Sequence, residues 1–265
     1  IILISSGMVI TLLGGAIPAF TKFGIGFIFS SEWNPTQGAE IYGALTFIVG
    51  TFLTSIIALI ICLPLSFSVS LFIGEYYKGN KIAKYVKTMI NLLAGIPSIV
   101  YGLWGIYVLR PWLVDIGFVG QGYCILTAAI ILSIMIIPFA ASISSEIIML
   151  VSNDLKEAAY SLGATKKDVI LKVIIPNAKS GIFTSYILAF GRAIGETMAV
   201  TMLIGNSNTL PTSIFQAGNT MASVIANQFG EADGLKLSSL IAIALLLFVI
   251  TGLINGFGKL IIRRV

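Results

Sequence analysis

An arginine and a glutamate stand in a segment that is otherwise apolar. The segment runs from Ala178 to Ile204, and Arg192 and Glu196 lie in its stretch GRAIGETMAV. A charge at the centre of a bilayer costs about 2.5–3.5 kcal/mol on insertion scales, so such residues usually face a bundle interior or an aqueous cavity. The planar five-donor fork of arginine suits tetrahedral oxyanions. Arg192 and Glu196 are therefore candidate residues of an anion pathway.

The same two residues also have a structural interpretation. Glu196 follows Arg192 by four positions, so the two side chains could pair within one helix and neutralise each other. Gly191 and Gly195 form a small-xxx-small pair, which would let another helix backbone approach closely. The residues alone leave both interpretations open, a transport site and a neutralised pair that stabilises the bundle.

The composition indicates that lipid is the solvent of this chain. Of its 265 residues 57% are hydrophobic and 10% are charged, and the mean hydropathy is +1.00. Ordinary soluble domains carry about 25% charged residues. Runs that approach or exceed the roughly 20 apolar residues needed to cross a bilayer occur at 1–20, 44–73, 87–109, 123–150, 178–205 and 237–262. We predict an all-α membrane protein with six transmembrane helices in a single transmembrane domain over 1–265.

The basic residues predict how this domain is oriented, because Lys and Arg in short loops are retained on the cytoplasmic side. Twelve of the 16 Lys and Arg fall on one side of the predicted spans and three on the other. The twelve are Lys78, Lys81, Lys84, Lys87, Lys156, Lys166, Lys167, Lys172, Lys179, Lys259, Arg263 and Arg264. Both termini and the connection 152–179 are therefore predicted to be cytoplasmic, and the loop 206–236 extracytoplasmic. The pI of about 9.2 follows from this distribution and does not indicate nucleic-acid binding.

Three prolines interrupt the predicted spans. Pro64, Pro97 and Pro138 lie inside the second, third and fourth apolar runs. A proline removes a backbone hydrogen bond and kinks or breaks a helix, which membrane bundles tolerate where neighbouring helices or water satisfy the freed carbonyls. The kinks serve either packing or the lining of a transport path.

The connection 152–179 carries the signals of two short helices. Gly163 suits the left-handed position that ends a helix, and Pro176 is expected to stop the second one. The predicted caps are Asp154 with Glu157 and Thr165 with Asp168. Helical spacing places an apolar face on the first helix, made of Leu155, Ala158, Ala159 and Leu162. This face needs a cover, which is either the bundle itself or a partner protein.

The outer loop 206–236 contains apolar residues at approximately helical spacing. They are Ile214, Met221, Val224, Ile225 and Phe229. Such a face suits a helix that lies at the membrane interface, a helix that packs on the ends of the bundle, or a surface that receives an external protein.

The stretch EAAYSLGATKKDVILKVIIP resembles the EAA loop of bacterial ABC-importer permeases, which reads E-A-A, three residues, G, nine residues, then I-x-L-P. The matching residues are Glu157, Ala158, Ala159, Gly163 and Pro176, with conservative replacements at Val173 and Ile175. The resemblance implies the fold of an ABC importer type I permease, in which this loop forms a coupling helix that docks into a separate ATPase subunit. The sequence has no G-x-x-x-x-G-K-[ST] phosphate loop, so a partner would have to hydrolyse ATP.

Further stretches are similar to the PstC-type permeases of the phosphate-specific transporter. They are SSEWNP (30–35), AGIPSIVYGLWG (94–105), GRAIGETMAVTMLIGN (191–206) and ASVIANQFGEA (222–232). This resemblance implies a heterodimer with a PstA-type permease, two ATPase subunits, an external phosphate-binding protein, and a place in a bacterial or archaeal plasma membrane. It implies no cofactor in this chain, with ATP and Mg bound by the ATPase.

Two other functions remain open from the sequence. A permease for another oxyanion, such as sulfate or molybdate, would share the EAA loop. An ion-coupled secondary transporter would also have an intramembrane charge pair, but would give no reason for an EAA loop. An enzyme is not indicated, since the chain has no histidine and no plausible Ser/Lys or paired-Asp site.

Overall fold

The computed structural model describes residues 2–36, 38–118 and 120–262, which are mostly helical. The long helices are α1 (Ile2–Phe23), α3 (Leu45–Leu71), α7 (Ile125–Met149), α10 (Ile175–Ile194) and α13 (Gly234–Ile262). The shorter ones are α2 (Gly26–Phe29), α4 (Lys81–Ala94), α5 (Ser98–Trp104), α6 (Arg110–Asp115), α8 (Asn153–Ser161), α9 (Lys166–Val169), α11 (Met198–Thr201) and α12 (Met221–Gln228). Strands β1 (Trp33–Asn34) and β2 (Ile41–Tyr42) form an antiparallel pair.

Four tighter or wider helical turns extend these helices. Three π-helical turns, at Phe72–Tyr76, Gly105–Leu109 and Ile170–Ile174, follow α3, α5 and α9. A 3₁₀ turn, Phe229–Glu231, follows α12. The first π-helical turn extends the helical path of α3 to Tyr76, which makes it the longest of the candidate spans.

The described helices agree with the predicted number of spans. Five are long and apolar enough to cross a membrane: Ser6–Phe23, Leu45–Tyr76, Ile125–Met149, Lys166–Ile194 and Gly234–Gly258. A sixth span results if the bent pair Lys81–Ala94 and Ser98–Asp115 is counted as one. The third apolar run thus corresponds to this bent pair, which has the form of a broken span or a re-entrant loop, while the other five runs each correspond to one continuous candidate span. Arg263 and Arg264, on which part of the orientation argument rests, lie outside the described residues.

Of the three interrupting prolines, one breaks a helix. Pro97 stands between α4 and α5 with an extended ψ of 140° and caps α5. A proline disfavours the helical conformation of the residue before it, and Gly95 with Ile96 supplies a weak helical segment there. Helices α3 and α7 continue through Pro64 and Pro138. The predicted break is therefore found at Pro97, and a break at Pro64 is not.

The chain forms two compact units that both draw on distant parts of the sequence. The first consists of Ile1–Ala58, Pro97–Leu132 and Ile194–Leu253. The second consists of Leu59–Ile96, Ser133–Ala193 and Ile254–Val265. Each has buried residues of its own.

An aromatic group forms the core of the first unit. The ring of Trp33 meets those of Tyr42 and Phe47 edge-on, with centroid distances of 4.8 and 4.9 Å. The surrounding buried residues are Ala16, Ala19, Phe27, Ala44, Met221, Val224, Leu240, Ala242 and Ile243. Edge-to-face contacts of this kind stabilise aromatic pairs beyond the effect of burying their surface. This core therefore fixes the strand pair against α1, α12 and α13.

The loop 206–236 is folded into the first unit. Met221 and Val224 of α12 are fully buried in its core, and the Met221 backbone N–H donates to Thr51 Oγ1 over 2.9 Å. Gly50 lets the Asn219 carbonyl oxygen approach closely, because a Cβ at Gly50 would lie 2.0 Å from it. The apolar face of α12 therefore matches the packing interpretation rather than that of a helix lying freely at the interface.

Polar side chains join the helices of the second unit. Ser144 Oγ and Ser185 Oγ are 2.5 Å apart and link α7 to α10. Ser66 Oγ donates to the Tyr186 hydroxyl over 3.3 Å and links α3 to α10. Buried hydroxyl groups need such partners, since an unpaired one is costly in an apolar interior.

Candidate functional site

Arg192 lies near the end of α10 with its side chain exposed. Its guanidinium carbon is 5.4 Å from the centre of the Phe139 ring, within the range of a cation–π contact. In the part of the chain that the structure describes, no carboxylate comes within 4.0 Å of this guanidinium. The arginine therefore presents a positive charge without a countercharge.

Glu196 does not pair with Arg192. Helix α10 ends at Ile194, so the chain leaves the helix before Glu196 and the four-residue spacing no longer brings the two side chains together. Glu196 is half-buried, and its Oε1 accepts a hydrogen bond of 3.4 Å from the backbone N–H of Ala199 in α11. Of the two interpretations, the intrahelical pair is therefore not formed, and Glu196 instead accepts a hydrogen bond from a backbone N–H near the start of α11.

Gly191 and Gly195 also differ in their surroundings. A Cβ at Gly191 would lie 2.5 Å from Asn255 Oδ1 of α13, so this glycine permits a close helix contact within the second unit. A Cβ at Gly258 would lie 2.9 Å from Ile187 of α10, which extends the same contact. Gly195 lies in a turn after α10, so the two glycines do not form one helix face as predicted.

The segment 152–179, named here the coupling hairpin, begins with the two short helices that its sequence predicts. Ser152 caps α8, because its Oγ accepts from the Asp154 N–H over 3.2 Å. The cap therefore lies two residues before Asp154, the position that the sequence predicts. The predicted capping box of Thr165 with Asp168 is present at α9. Gly163 separates the helices at φ +85°, a left-handed conformation that glycine adopts without strain.

Pro176 does not end a helix, contrary to the prediction. It is the second residue of α10 and lies inside the continuous helical path Lys166–Ile194, where its missing N–H removes one intrahelical hydrogen bond without ending the helix. The π-helical turn Ile170–Ile174 comes just before it, and the Ile175 N–H donates to Ile170 O, five residues back. This wider turn changes the register at the point where a proline ring would collide with a carbonyl of a regular helix.

The apolar face of α8 is uncovered. Leu155 is 49% exposed and Leu162 is 89% exposed, and Ala158 is exposed beside them while Ala159 is half-buried. Glu157 is exposed as well. The interpretation that this face folds back on the bundle is therefore wrong, and the residues that match the EAA loop stand on an accessible surface.

The other side of the coupling hairpin is bound to the end of α3. Lys156 Nζ lies 2.5 Å from Glu75 Oε2, and the two side chains are 7% and 10% exposed. Lys166 Nζ donates to the Tyr76 carbonyl over 3.5 Å and lies 4.7 Å from the centre of the Tyr76 ring. The sequence-based reasoning missed this contact. One feature of the sequence could have indicated it: Glu75 is the one acidic residue between Glu40 and Asp115, so a basic partner was to be expected.

Known proteins resemble this chain over most of its length. Residues 66–265 match the family model described as "Binding-protein-dependent transport system inner membrane component". The phosphate transport system permease protein PstC of Pasteurella multocida is 39% identical and is aligned over 100% of this chain and 88% of its own length. The probable phosphate transport system permease protein PstC of Methanocaldococcus jannaschii is 37% identical over 94% of this chain and 85% of its own.

A solved structure resembles the fold as well. A chain of a bacterial ABC transporter involved in the import of the polysaccharide alginate superimposes with a TM-score of 0.66 and 19% identity, covering 96% of this chain and 88% of its own length. At this identity the likeness concerns the fold alone, which is that of ABC importer type I permeases. The predicted fold class is confirmed.

Proposed function

The chain belongs to the family of binding-protein-dependent transport system inner membrane components, and from this premise we propose that it is the permease subunit of an ATP-driven importer of inorganic phosphate. The observation that carries the proposal is its full-length similarity to phosphate transport permeases. Family membership makes the chain a multi-pass membrane protein and a transport component rather than an enzyme, as the sequence analysis predicted. Members of this family work with an ATPase and a binding protein.

The proposed subunit arrangement is more specific. The chain would form one transmembrane permease domain over 1–265 and pair with a PstA-type permease, while two ATPase subunits bind ATP and Mg²⁺. Both termini and the coupling hairpin would face the cytoplasm, and the loop 206–236 would face an external phosphate-binding protein. The charge distribution of the loops supports this orientation, since Lys78, Lys156 and Lys166 all lie on the proposed cytoplasmic side.

The uncovered face of α8 supports an ATPase partner. Leu155 of α8 and Leu162, which directly follows α8, are exposed, and an exposed apolar patch commonly marks a site of protein interaction. A groove on the ATPase would cover these leucines, and Glu157 at the rim would contribute polar contacts. The proposed role of this helix is to carry the motion of the ATPase to the permease.

Arg192 is proposed as a residue of the anion pathway. An unneutralised arginine in a membrane-spanning helix is expected to face an aqueous cavity or a partner rather than lipid. Its guanidinium can donate several hydrogen bonds to a tetrahedral oxyanion that has lost its hydration. Within the described ranges, no carboxylate lies within 4.0 Å of this guanidinium, which favours this role over that of a structural pair. Glu196, which accepts from the Ala199 N–H, would border the pathway without neutralising Arg192.

ATP hydrolysis by the assembled complex tests the proposal and separates the oxyanions. The chain is reconstituted with the PstA-type permease and the ATPase, and hydrolysis is measured with a phosphate-, a sulfate- or a molybdate-binding protein, each loaded with its own anion. We expect stimulation by the phosphate-loaded binding protein only. Stimulation through a sulfate- or molybdate-binding protein instead would contradict the phosphate assignment. Failure of the chain to bind any ATPase would contradict the importer itself.

A further inference from the structure

We propose that Lys156 and Glu75 form the joint through which the coupling hairpin moves α3, and that both act as positioning residues for transport. The inference rests on the proposed function, because it assumes that an ATPase moves α8. It assigns a role to two residues that lie outside the EAA match, Lys156 on α8 and Glu75 after α3, whose side chains are buried where the leucines of α8 are exposed.

The contact is a buried ion pair between two distant segments. Lys156 Nζ and Glu75 Oε2 are 2.5 Å apart, and 7% and 10% of the two side chains are exposed. Lysine and glutamate are almost never buried to this degree unless they are paired. The pair joins α8 to the π-helical turn Phe72–Tyr76, 81 residues earlier in the chain.

A second contact holds the next residue of the same turn. Lys166, at the start of α9, contacts Tyr76 through its carbonyl oxygen and through its ring. Both helices of the coupling hairpin therefore bind successive residues, Glu75 and Tyr76. A displacement of the hairpin must displace this turn as well, or break both contacts.

At Gly74 this π-helical turn packs closely against α7. A Cβ at Gly74 would lie 2.8 Å from the Ile148 side chain and 3.0 Å from the Ser145 carbonyl oxygen of α7. The helical path from Leu45 to Tyr76 is continuous, so a movement at Tyr76 is passed along α3. Close packing transmits displacement because it leaves no room for local adjustment.

At this buried contact, the ion pair is expected to fix the relative position of the two segments more than it stabilises the fold. Replacing a buried ion pair by apolar residues of similar volume is often neutral for folding. Its directional hydrogen bonds, however, fix the relative placement of the two segments, whereas an apolar contact can slide. The charge of the pair is therefore expected to matter for coupling more than for assembly.

The main test removes both charges together. Lys156→Met with Glu75→Met is assembled with the partner permease and ATPase, and uptake per assembled complex is measured beside binding-protein-stimulated ATP hydrolysis. We expect assembly and basal hydrolysis to persist, while uptake falls about tenfold, within the usual range of coupling between sites. Stimulation by the binding protein should fall in parallel.

A matched control uses an exposed pair of the same kind in the same unit. Lys87 Nζ lies 3.3 Å from Glu146 Oε1, with the two side chains 38% and 60% exposed. Lys87→Met with Glu146→Met removes the same chemical groups away from the coupling hairpin. It should retain the uptake and the stimulated hydrolysis of the unaltered complex, because solvent-exposed ion pairs contribute little to stability.

If the apolar double variant fails to assemble, a variant with the two charges exchanged still tests the proposal. Glu75→Lys with Lys156→Glu retains an ion pair, so it should assemble and couple better than either charge removed alone. The proposal is overturned if the apolar double variant couples normally, or if the swapped variant assembles yet couples no better than the single variants. Loss of assembly in both would overturn it too, since the pair would then serve folding. Failure of the unaltered complex to transport phosphate would instead contradict the proposed function.

Discussion

The guanidinium of Arg192 lies over the ring of Phe139, with 5.4 Å between its carbon and the ring centre. The aromatic face attracts the cation without neutralising it, so the arginine keeps donors free for an anion. This relationship favours the pathway interpretation of Arg192, because a structural pair would place a carboxylate at the guanidinium, and none of the described carboxylates lies within 4.0 Å of it.

Arg192→Gln should therefore assemble with its partners but lose phosphate uptake. Glu196→Gln added to it should not restore uptake, since Glu196 contacts the Ala199 N–H and not the arginine. Arg192→Lys should retain part of the activity, because an ammonium supplies charge without the planar fork. Uptake per assembled complex measures all three, and near-normal uptake by the assembled double variant would contradict the pathway role.

Leu162→Asp should prevent the ATPase from binding while the permease remains folded. The side chain is 89% exposed, so its replacement removes no packing within the chain but places a charge in the expected apolar contact. Leu210→Asp, at an exposed leucine of the outer loop, is the control. Co-purification of the ATPase with each variant is the measurement, and equal recovery with both would rule out the α8 face as the contact.

Gly163→Val should weaken coupling through the backbone alone. Apart from its chain neighbours, no described atom lies within 4 Å of the Cβ position, but φ is +85°, which a β-branched residue adopts only with strain of about 1–3 kcal/mol. Gly163→Asn is the matched control, because asparagine tolerates the left-handed region. We expect binding-protein-stimulated hydrolysis to fall in the valine variant and to persist in the asparagine variant. An equal loss in both would point to a side-chain contact with the partner.

The orientation can be tested with single cysteines. Cysteines at Lys81 and Lys167 should be shielded from an impermeant thiol reagent in intact cells, and one at Thr209 should react. All three positions are exposed in the structure, whereas the natural Cys62 and Cys124 are buried, so reactivity reports the side of the membrane. Labelling at Lys167 from outside would reverse the proposed topology.

The sequence predicted those features that depend on local chemistry. Apolar length gave the spans, and the capping box at Thr165 and the left-handed Gly163 were both found. The end of α10 at Ile194 was missed, because nothing in the apolar run GRAIGETMAV stops a helix as clearly as proline does. The pairing of Lys156 with Glu75 was missed because it joins segments that only the folded chain brings together.

The most direct test of the central claim is the uptake of radiolabelled phosphate into vesicles that contain this chain, the PstA-type permease and the ATPase. The phosphate-binding protein is placed outside and ATP with Mg²⁺ inside. The account predicts uptake that requires both ATP and the binding protein and that excess sulfate does not suppress. Uptake that proceeds without ATP under an imposed proton or sodium gradient would contradict it and favour a secondary transporter.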